Sequence, residues 1–158
     1  MKDFELPDYH ESIGGCRKFT FAPLICIQSV PDAMNGVISD PIILKGILKM
    51  LEGYSSPESL SYAETAKQTA SGWLYTANLK AFYPGYNREM IALFEEMLRH
   101  KFILLVTDLM GITRMVGSLK EPLSFYYDFV SMNKPSERMG YNYGFEGNLT
   151  VSSPVYEP

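Results

Sequence analysis

Between Asn87 and Leu149 the hydrophobic pattern changes period once, and the change separates a helix from a set of strands. In Asn87–Lys101 the apolar residues Met90, Ile91, Phe94, Met97 and Leu98 recur at i, i+1, i+4, i+7 and i+8, one stripe of a 3.6-residue helix. Arg88, Glu89, Glu95, Glu96, Arg99 and His100 take the opposite face. Asn87 fits the N-cap, Glu89 lies near the positive helix end, and Arg99, His100 and Lys101 lie near the negative one. Beyond that point the period drops to two. Phe102–Val106 is a solid apolar run, Asp108-Leu109-Met110-Gly111 reads as a turn, and Ile112–Val116 returns as a hairpin partner. Leu123, Phe125, Tyr127 and Phe129 alternate with Ser124, Tyr126 and Asp128. Tyr141, Tyr143, Phe145 and Leu149 alternate with Asn142, Gly144, Glu146 and Asn148. Two aromatic ladders with polar backs require a sheet that buries one face.

Upstream the pattern is more broken. Met1–Ile13 is polar and turn-rich and reads as an arm, punctuated by Gly14-Gly15. Arg17–Ser29 reads as a long strand that sets Phe19 and Phe21 on one side, with Pro23 marking an edge position or a bulge. Val30–Asp40 is a loop by its Pro31, Asn35-Gly36 and Asp40-Pro41 signals. Pro41–Leu51 fits either a strand or a buried helical turn; Pro41, Gly46 and the β-branched start favour strand. Glu52–Leu60 is again a loop. Ser61–Thr69 reads as an edge strand kept soluble by Glu64 and Lys67. Trp73–Phe82 reads as a central strand, with Trp73, Tyr75, Ala77, Leu79 and Ala81 on one face, ended by Pro84-Gly85. The expected fold is mainly β with one helix (α+β), a single domain over 1–158. Its simplest architecture is an antiparallel β-sandwich or flattened barrel with one amphipathic helix packed on it, flanked by an arm at 1–13 and a tail at 150–158.

Composition narrows the function classes. The chain has 158 residues, 46% hydrophobic and 20% charged, the make-up of a globular domain. Eleven Tyr and nine Phe suit β structure and protein-binding surfaces. A formal charge of −4 disfavours non-specific binding to a nucleic-acid backbone. Cys16 and Cys26 form neither a disulfide scaffold nor a CxxC pair. The start, Met1-Lys2-Asp3-Phe4-Glu5-Leu6-Pro7-Asp8, lacks the plan of a signal peptide, and no apolar run reaches the roughly 20 residues of a membrane span. A cytoplasmic origin is therefore expected, with export only inside an assembled particle.

Catalytic chemistry finds no anchor. The nucleophile elbow, P-loop, H-E-x-x-H and EF-hand patterns are absent. His10 sits in the polar arm, and His100 suits a helix C-terminus better than a general base. Glu95-Glu96 are adjacent on a helix and point about 100° apart, so they read as a solvated face. Asp108, Asp128 and Glu146 read as turn or edge residues rather than metal ligands. Gly140, Gly144 and Gly147 interleave with aromatics in a strand, which marks close packing rather than a dinucleotide loop. No catalytic residue, cofactor or metal is expected.

A resemblance adds to this picture. Leu104-Leu105-Val106-Thr107-Asp108-Leu109-Met110-Gly111-Ile112-Thr113-Arg114-Met115-Val116-Gly117-Ser118 is followed by Glu121-Pro122-Leu123-Ser124-Phe125, by Pro135-Ser136-Glu137-Arg138-Met139-Gly140-Tyr141, and by Phe145-Glu146-Gly147. Together these resemble small structural proteins encoded in prophage tail gene clusters, of the tail-tube or tail-completion (neck) type. The resemblance covers roughly the last third of the chain and rests on turn residues and β alternation. It implies a non-enzymatic subunit that closes into a homo-oligomeric ring through sheet edges and extended loops and meets other tail proteins, ending in a virion or tail-like particle. It implies no sequence-specific nucleic-acid binding and no membrane. Leu109-Met110 departs from the family layout, where a polar, Asn-Gly-like pair is expected, and so becomes a candidate partner contact. Lys134, Glu137 and Arg138, in the long segment Ser131–Met139, are the other candidates. That segment, the arm and the tail Thr150–Pro158 are expected to order only between subunits. The competing expectation is a soluble barrel-like module binding a small apolar ligand or a peptide, from the aromatic content and nine methionines.

Overall fold

The computed structural model describes residues 15–131 and 139–158. In chain order its elements are β1 (Cys16–Pro23), a 3-10 turn (Leu24–Cys26), β2 (Ile27–Ser29), β3 (Val37–Ile38), β4 (Ile43–Leu44), β5 (Leu51–Glu52), β6 (Ser61–Thr69), β7 (Gly72–Pro84), α1 (Arg88–Met97), β8 (Lys101–Asp108), β9 (Thr113–Val116), β10 (Leu123–Ser131), β11 (Met139–Leu149) and β12 (Val155–Tyr156). The fold is mainly β with a single helix among the described residues, as the two periodicities require.

Ten of the strands belong to one sheet, which turns a corner at β8. One edge of β8 is taken by β1, from Cys16 opposite Asp108 to Pro23 opposite Phe102. Its other edge is divided. Leu104–Thr107 pair with β9, while Lys101 and Phe102 pair with Ser124 and Leu123 at the start of β10. Two leaves result, β5-β1-β8-β9-β12-β3 and β10-β11-β7-β6. All the pairings are antiparallel except that of β12 with β3, which is parallel.

Aromatic rings fill the space between the leaves. Phe19, Phe21 and Phe102 of the first leaf surround Phe145 of the second at centroid distances of 6.1, 5.5 and 5.3 Å. The rest of the second leaf's inner face is covered by α1, whose Phe94 meets Phe125, Tyr127, Tyr141 and Tyr143. The helix thus completes a layer that the first leaf is too narrow to cover. Asn87 caps it as expected, its side-chain oxygen accepting from the Glu89 and Met90 amides at 2.9 and 3.4 Å. It is shorter than the pattern predicts, because Met97 is its last residue and Lys101 already opens β8. Of the predicted stripe, Phe94 and Met97 are buried and Leu98, past the end, is exposed. The aromatic ladder of β10 also fades outward. Leu123 and Phe125 are buried, Tyr127 is half-buried, and Phe129 is exposed because the strand outruns the helix.

The apolar run Phe102–Val106 has a simple cause: β8 is covered on both faces. Phe102, Leu104 and Val106 enter the aromatic core, while Ile103 joins Ala22, Ile27, Ile38 and Met115 in a second cluster behind the first leaf. That second cluster is roofed by the segment between β1 and β5, including the two-stranded β2–β4 ribbon. Pro41–Leu51 is therefore not one strand. Only Ile43–Leu44 and, starting at Leu51, β5 are extended in pairing, separated by a turn at Gly46, whose φ is 64°.

A second correction concerns the C-terminus. The tail Thr150–Pro158 is not loosely packed: Val155–Tyr156 form β12, inserted between β3 and β9. The amides of Met115, Val155 and Glu157 donate across this junction to Pro154, Gly36 and Ile38 carbonyls at 3.0, 2.9 and 2.8 Å. The Tyr156 hydroxyl accepts from the Ile42 amide at 3.1 Å, which ties the tail to the roof segment.

Candidate interaction surface

Of the expected contact residues, Leu109 and Met110 lie at the tip of the β8–β9 hairpin, and Ile112 beside them is also exposed. The Asp108 side chain explains how an apolar pair can occupy such a turn. Its Oδ1 accepts from the Ile112 amide at 2.9 Å, its backbone exchanges further bonds with Ile112 and Gly111, and Gly111 takes a φ of 87°. The turn is held by Asp108 and Gly111, so positions 109 and 110 are free to be apolar. Lys134, Glu137 and Arg138 lie outside the described residues, as do Met1–Ile13 and most of Ser131–Met139.

A free sheet edge runs along β6. All nine residues of that strand pair in register with β7, from Ser61 opposite Lys80 to Thr69 opposite Gly72. The tight turn after Thr69 makes the odd-numbered residues face β7, so Tyr62, Glu64, Ala66 and Gln68 point their backbone groups outward. At one end that edge is occupied. There Glu64 is drawn onto the tail. Glu64 accepts from the Ser152 hydroxyl at 2.6 Å, from the Ser153 amide at 3.1 Å and from the Tyr62 hydroxyl at 2.8 Å. Burial opposes ionisation of this carboxyl, but the hydrogen bonds outweigh it and hold it below its ordinary range. Glu64 is therefore a staple for the tail, not the solubilising edge charge expected from sequence. From Thr65 to Thr69 every residue of the strand is exposed.

The cleft beside that staple, about 360 Å³, is lined by Cys16, Tyr62, Asp108 and Arg114 among others. Burial raises the Cys16 thiol above its ordinary range, so it stays protonated and is a poor nucleophile. Burial likewise raises Tyr62. Arg114 spends a donor on the Ser153 carbonyl at 3.4 Å. These groups fasten the seam between the leaves.

The outer face of β10–β11–β7 is polar and self-satisfied. Tyr126 donates its hydroxyl proton to Asn78 at 3.0 Å, and Asn142 donates to Asp128 at 3.1 Å. Tyr126 lies across Gly144, its cross-strand partner, where an added Cβ would stand 2.6 Å from the hydroxyl and 2.1 Å from the Leu79 carbonyl oxygen. The strand glycine thus makes room for a ring and a backbone of the same chain. Asp108, Asp128 and Glu146 are not gathered: the first caps a turn, the second bonds Asn142, and the third sits opposite Asn78. No metal-binding group of three or more His, Cys, Asp or Glu occurs among the described residues.

Sequence reasoning missed a group of exposed aliphatic side chains on the roof segment. Ile25, Ile43, Ile47, Leu48 and Leu51 are all exposed there, Ile47 to 97%. The signal was present in the ambiguous string Ile42-Ile43-Leu44-Lys45-Gly46-Ile47-Leu48: more aliphatics than a two-residue strand can bury. The chain matches no protein-family model, no curated protein and no solved structure. No helix among the described residues is long and apolar enough to cross a membrane.

Proposed function

We propose that this chain is a non-enzymatic structural subunit of a phage-like tail, of the tube or tail-completion (neck) type, that self-assembles through sheet edges and exposed turns. The observation that carries the assembly half of this reading is the exposed outer edge of β6, a ready template for another strand. Two apolar turns, at Leu109-Met110 and at Ile47-Leu48, give the same molecule further surface to bury. The tail assignment itself rests on the motif layout from Leu104 to Gly147. In an assembled ring each β6 edge would be closed by a neighbour, and the particle, not the isolated chain, would be the working form.

Sedimentation velocity across a hundredfold range of concentration, followed by electron microscopy of any large species, tests the proposal. Growth into discrete rings or short tubes is the expected result. A strict monomer at every concentration would overturn it.

A second reading keeps one observation of its own. A surface hollow of about 490 Å³ is lined by Val30, Pro31, Ile38, Met115, Leu149 and Val151 among others, within the size range of small-ligand sites. A chain that stays monomeric and binds a fluorescent apolar probe, with loss of binding on Val151→Glu at an exposed lining position, would favour a ligand-binding module.

A further inference from the structure

The roof segment presents its apolar tip to solvent. Ile27 and Ser29 pair with Leu44 and Ile43, the Lys45 amide donates to the Cys26 carbonyl at 2.9 Å, and the Leu48 amide closes the turn on Lys45 at 3.4 Å. Beyond the turn, Leu51 pairs with Phe21 of β1. Ile42, Leu44 and Met50 point inward to the second core, so strand alternation and the turn force Ile43, Ile47 and Leu48 outward. These pairings hold the tip against β1 and the second core. Lys45 and Lys49 flank the tip, and no ion pair engages either of them among the described residues.

The exposed face of α1 has the complementary layout. Glu89, Ala92, Leu93 and Glu96 are all exposed and follow one another along one side of the helix. Ala92 and Leu93 form a small apolar spot with a carboxylate one turn before it and another one turn after. The seven-residue spacing of the two glutamates separates them by about 10 Å along the axis. Neither carboxylate is in an ion pair among the described residues, whereas Glu95, on the neighbouring row, is taken by the Tyr127 hydroxyl.

We propose that the Lys45–Lys49 turn of one copy docks on the exposed face of α1 of another copy, with Ile47 and Leu48 over Ala92 and Leu93 and the lysines against Glu89 and Glu96. The inference rests on the self-assembly reading and names a contact within it. The occupant is a second copy because the chain itself carries both halves: a cationic apolar tip on an otherwise acidic molecule of net charge −4, and an apolar spot between two acids that no described residue pairs. The pairing is between two different surfaces, so its repetition generates a ring or an open helix according to the angle between copies.

Charge reversal tests this contact. Lys45→Glu with Lys49→Glu, and separately Glu89→Lys with Glu96→Lys, are each expected to weaken self-association by roughly tenfold or more in sedimentation equilibrium, through like-charge repulsion. An equimolar mixture of the two variants is expected to recover wild-type association, because each then meets its complement in the other. Ile47→Ser, at a side chain that supports no core, is expected to weaken association with an unchanged melting temperature. Association of the wild type that survives all these changes, or a mixture that fails to recover it, overturns this contact and leaves the assembly reading standing. A wild type that never associates overturns both. Co-sedimentation with phosphatidylserine vesicles, lost on Ile47→Ser while self-association stays intact, would assign the tip to a lipid surface and overturn the proposal.

Discussion

The ring of Phe94 stands 5.3 Å from that of Tyr143, and through this contact the helix and the second leaf share one core. Tyr143 in turn lies 6.4 Å from Phe19 of the first leaf and donates its hydroxyl to the Tyr54 carbonyl. One tyrosine therefore touches the helix, the opposing leaf and the loop before β6. Removing its partner leaves a hole that the paired strands cannot close.

Phe94→Ala is accordingly expected to cost about 3–5 kcal/mol, as for other buried aromatics. Urea denaturation monitored by circular dichroism measures this directly. A loss below about 1 kcal/mol would mean that the ring cluster is plastic enough to refill the space.

Gly144 should tolerate no side chain. A methyl there meets the Leu79 carbonyl oxygen at 2.1 Å as well as the Tyr126 hydroxyl, and the carbonyl belongs to the β7 ladder. Gly144→Ala is expected to destabilise by about 1–3 kcal/mol, the usual range for overpacking. Adding Tyr126→Ala should not restore stability, because the backbone clash persists. Full recovery in the double variant would place the strain in the ring alone.

These two positions also show what the sequence made legible. Gly144 and the aromatic ladders were readable because long strands repeat a period, and eight or more residues of alternation outweigh local noise. Phe94 was readable because its helix face recurs over three successive turns, at Met90-Ile91, Phe94 and Met97-Leu98. The strands at Val37–Ile38, Leu51–Glu52 and Val155–Tyr156 have two residues each, too few to show any period. Their existence depends on partners far along the chain, such as Val155 opposite Val37. The exposed tip at Ile47 was hidden for a related reason. Ile42-Ile43-Leu44 reads as wholly apolar, and only the position of the second core decides which of the three turns outward. At the hairpin tip, Asp108-Leu109-Met110-Gly111 is legible as a turn, because a turn needs no long-range information to be recognised.

Glu64 predicts a pH dependence with a definite sign. Its folded carboxyl lies below the ordinary value of 4.5, so its staple contributes stability in full above that value. The contribution is lost as pH falls through the lowered folded value. Glu64→Gln should therefore lower stability near neutral pH and flatten the acid limb of the stability curve below about pH 5. Thermal melts of both proteins between about pH 3 and pH 7 provide the comparison. Amides of Ser153 and Val155 should exchange faster in the variant, since the tail loses its tie to β6. Parallel stability curves for the two proteins would show that the staple carries no net charge dependence.

The outer edge of β6 can be tested without touching its side-chain chemistry. Ala66 points its amide away from β7, whereas Thr65, opposite Thr76, points its amide into the ladder. Proline removes the amide proton and is tolerated on a strand only where that proton faces outward. Ala66→Pro is therefore expected to leave the fold intact and to block a neighbouring strand from pairing along the edge. Thr65→Pro breaks the β6–β7 ladder itself and should lower the melting temperature. Size-exclusion chromatography with light scattering, run at matched concentrations, reads the difference. If edge pairing builds the assembly, Ala66→Pro remains folded and shifts toward monomer. Undiminished association of a folded Ala66→Pro variant would remove β6 from the interface and leave the apolar turns to hold the copies together.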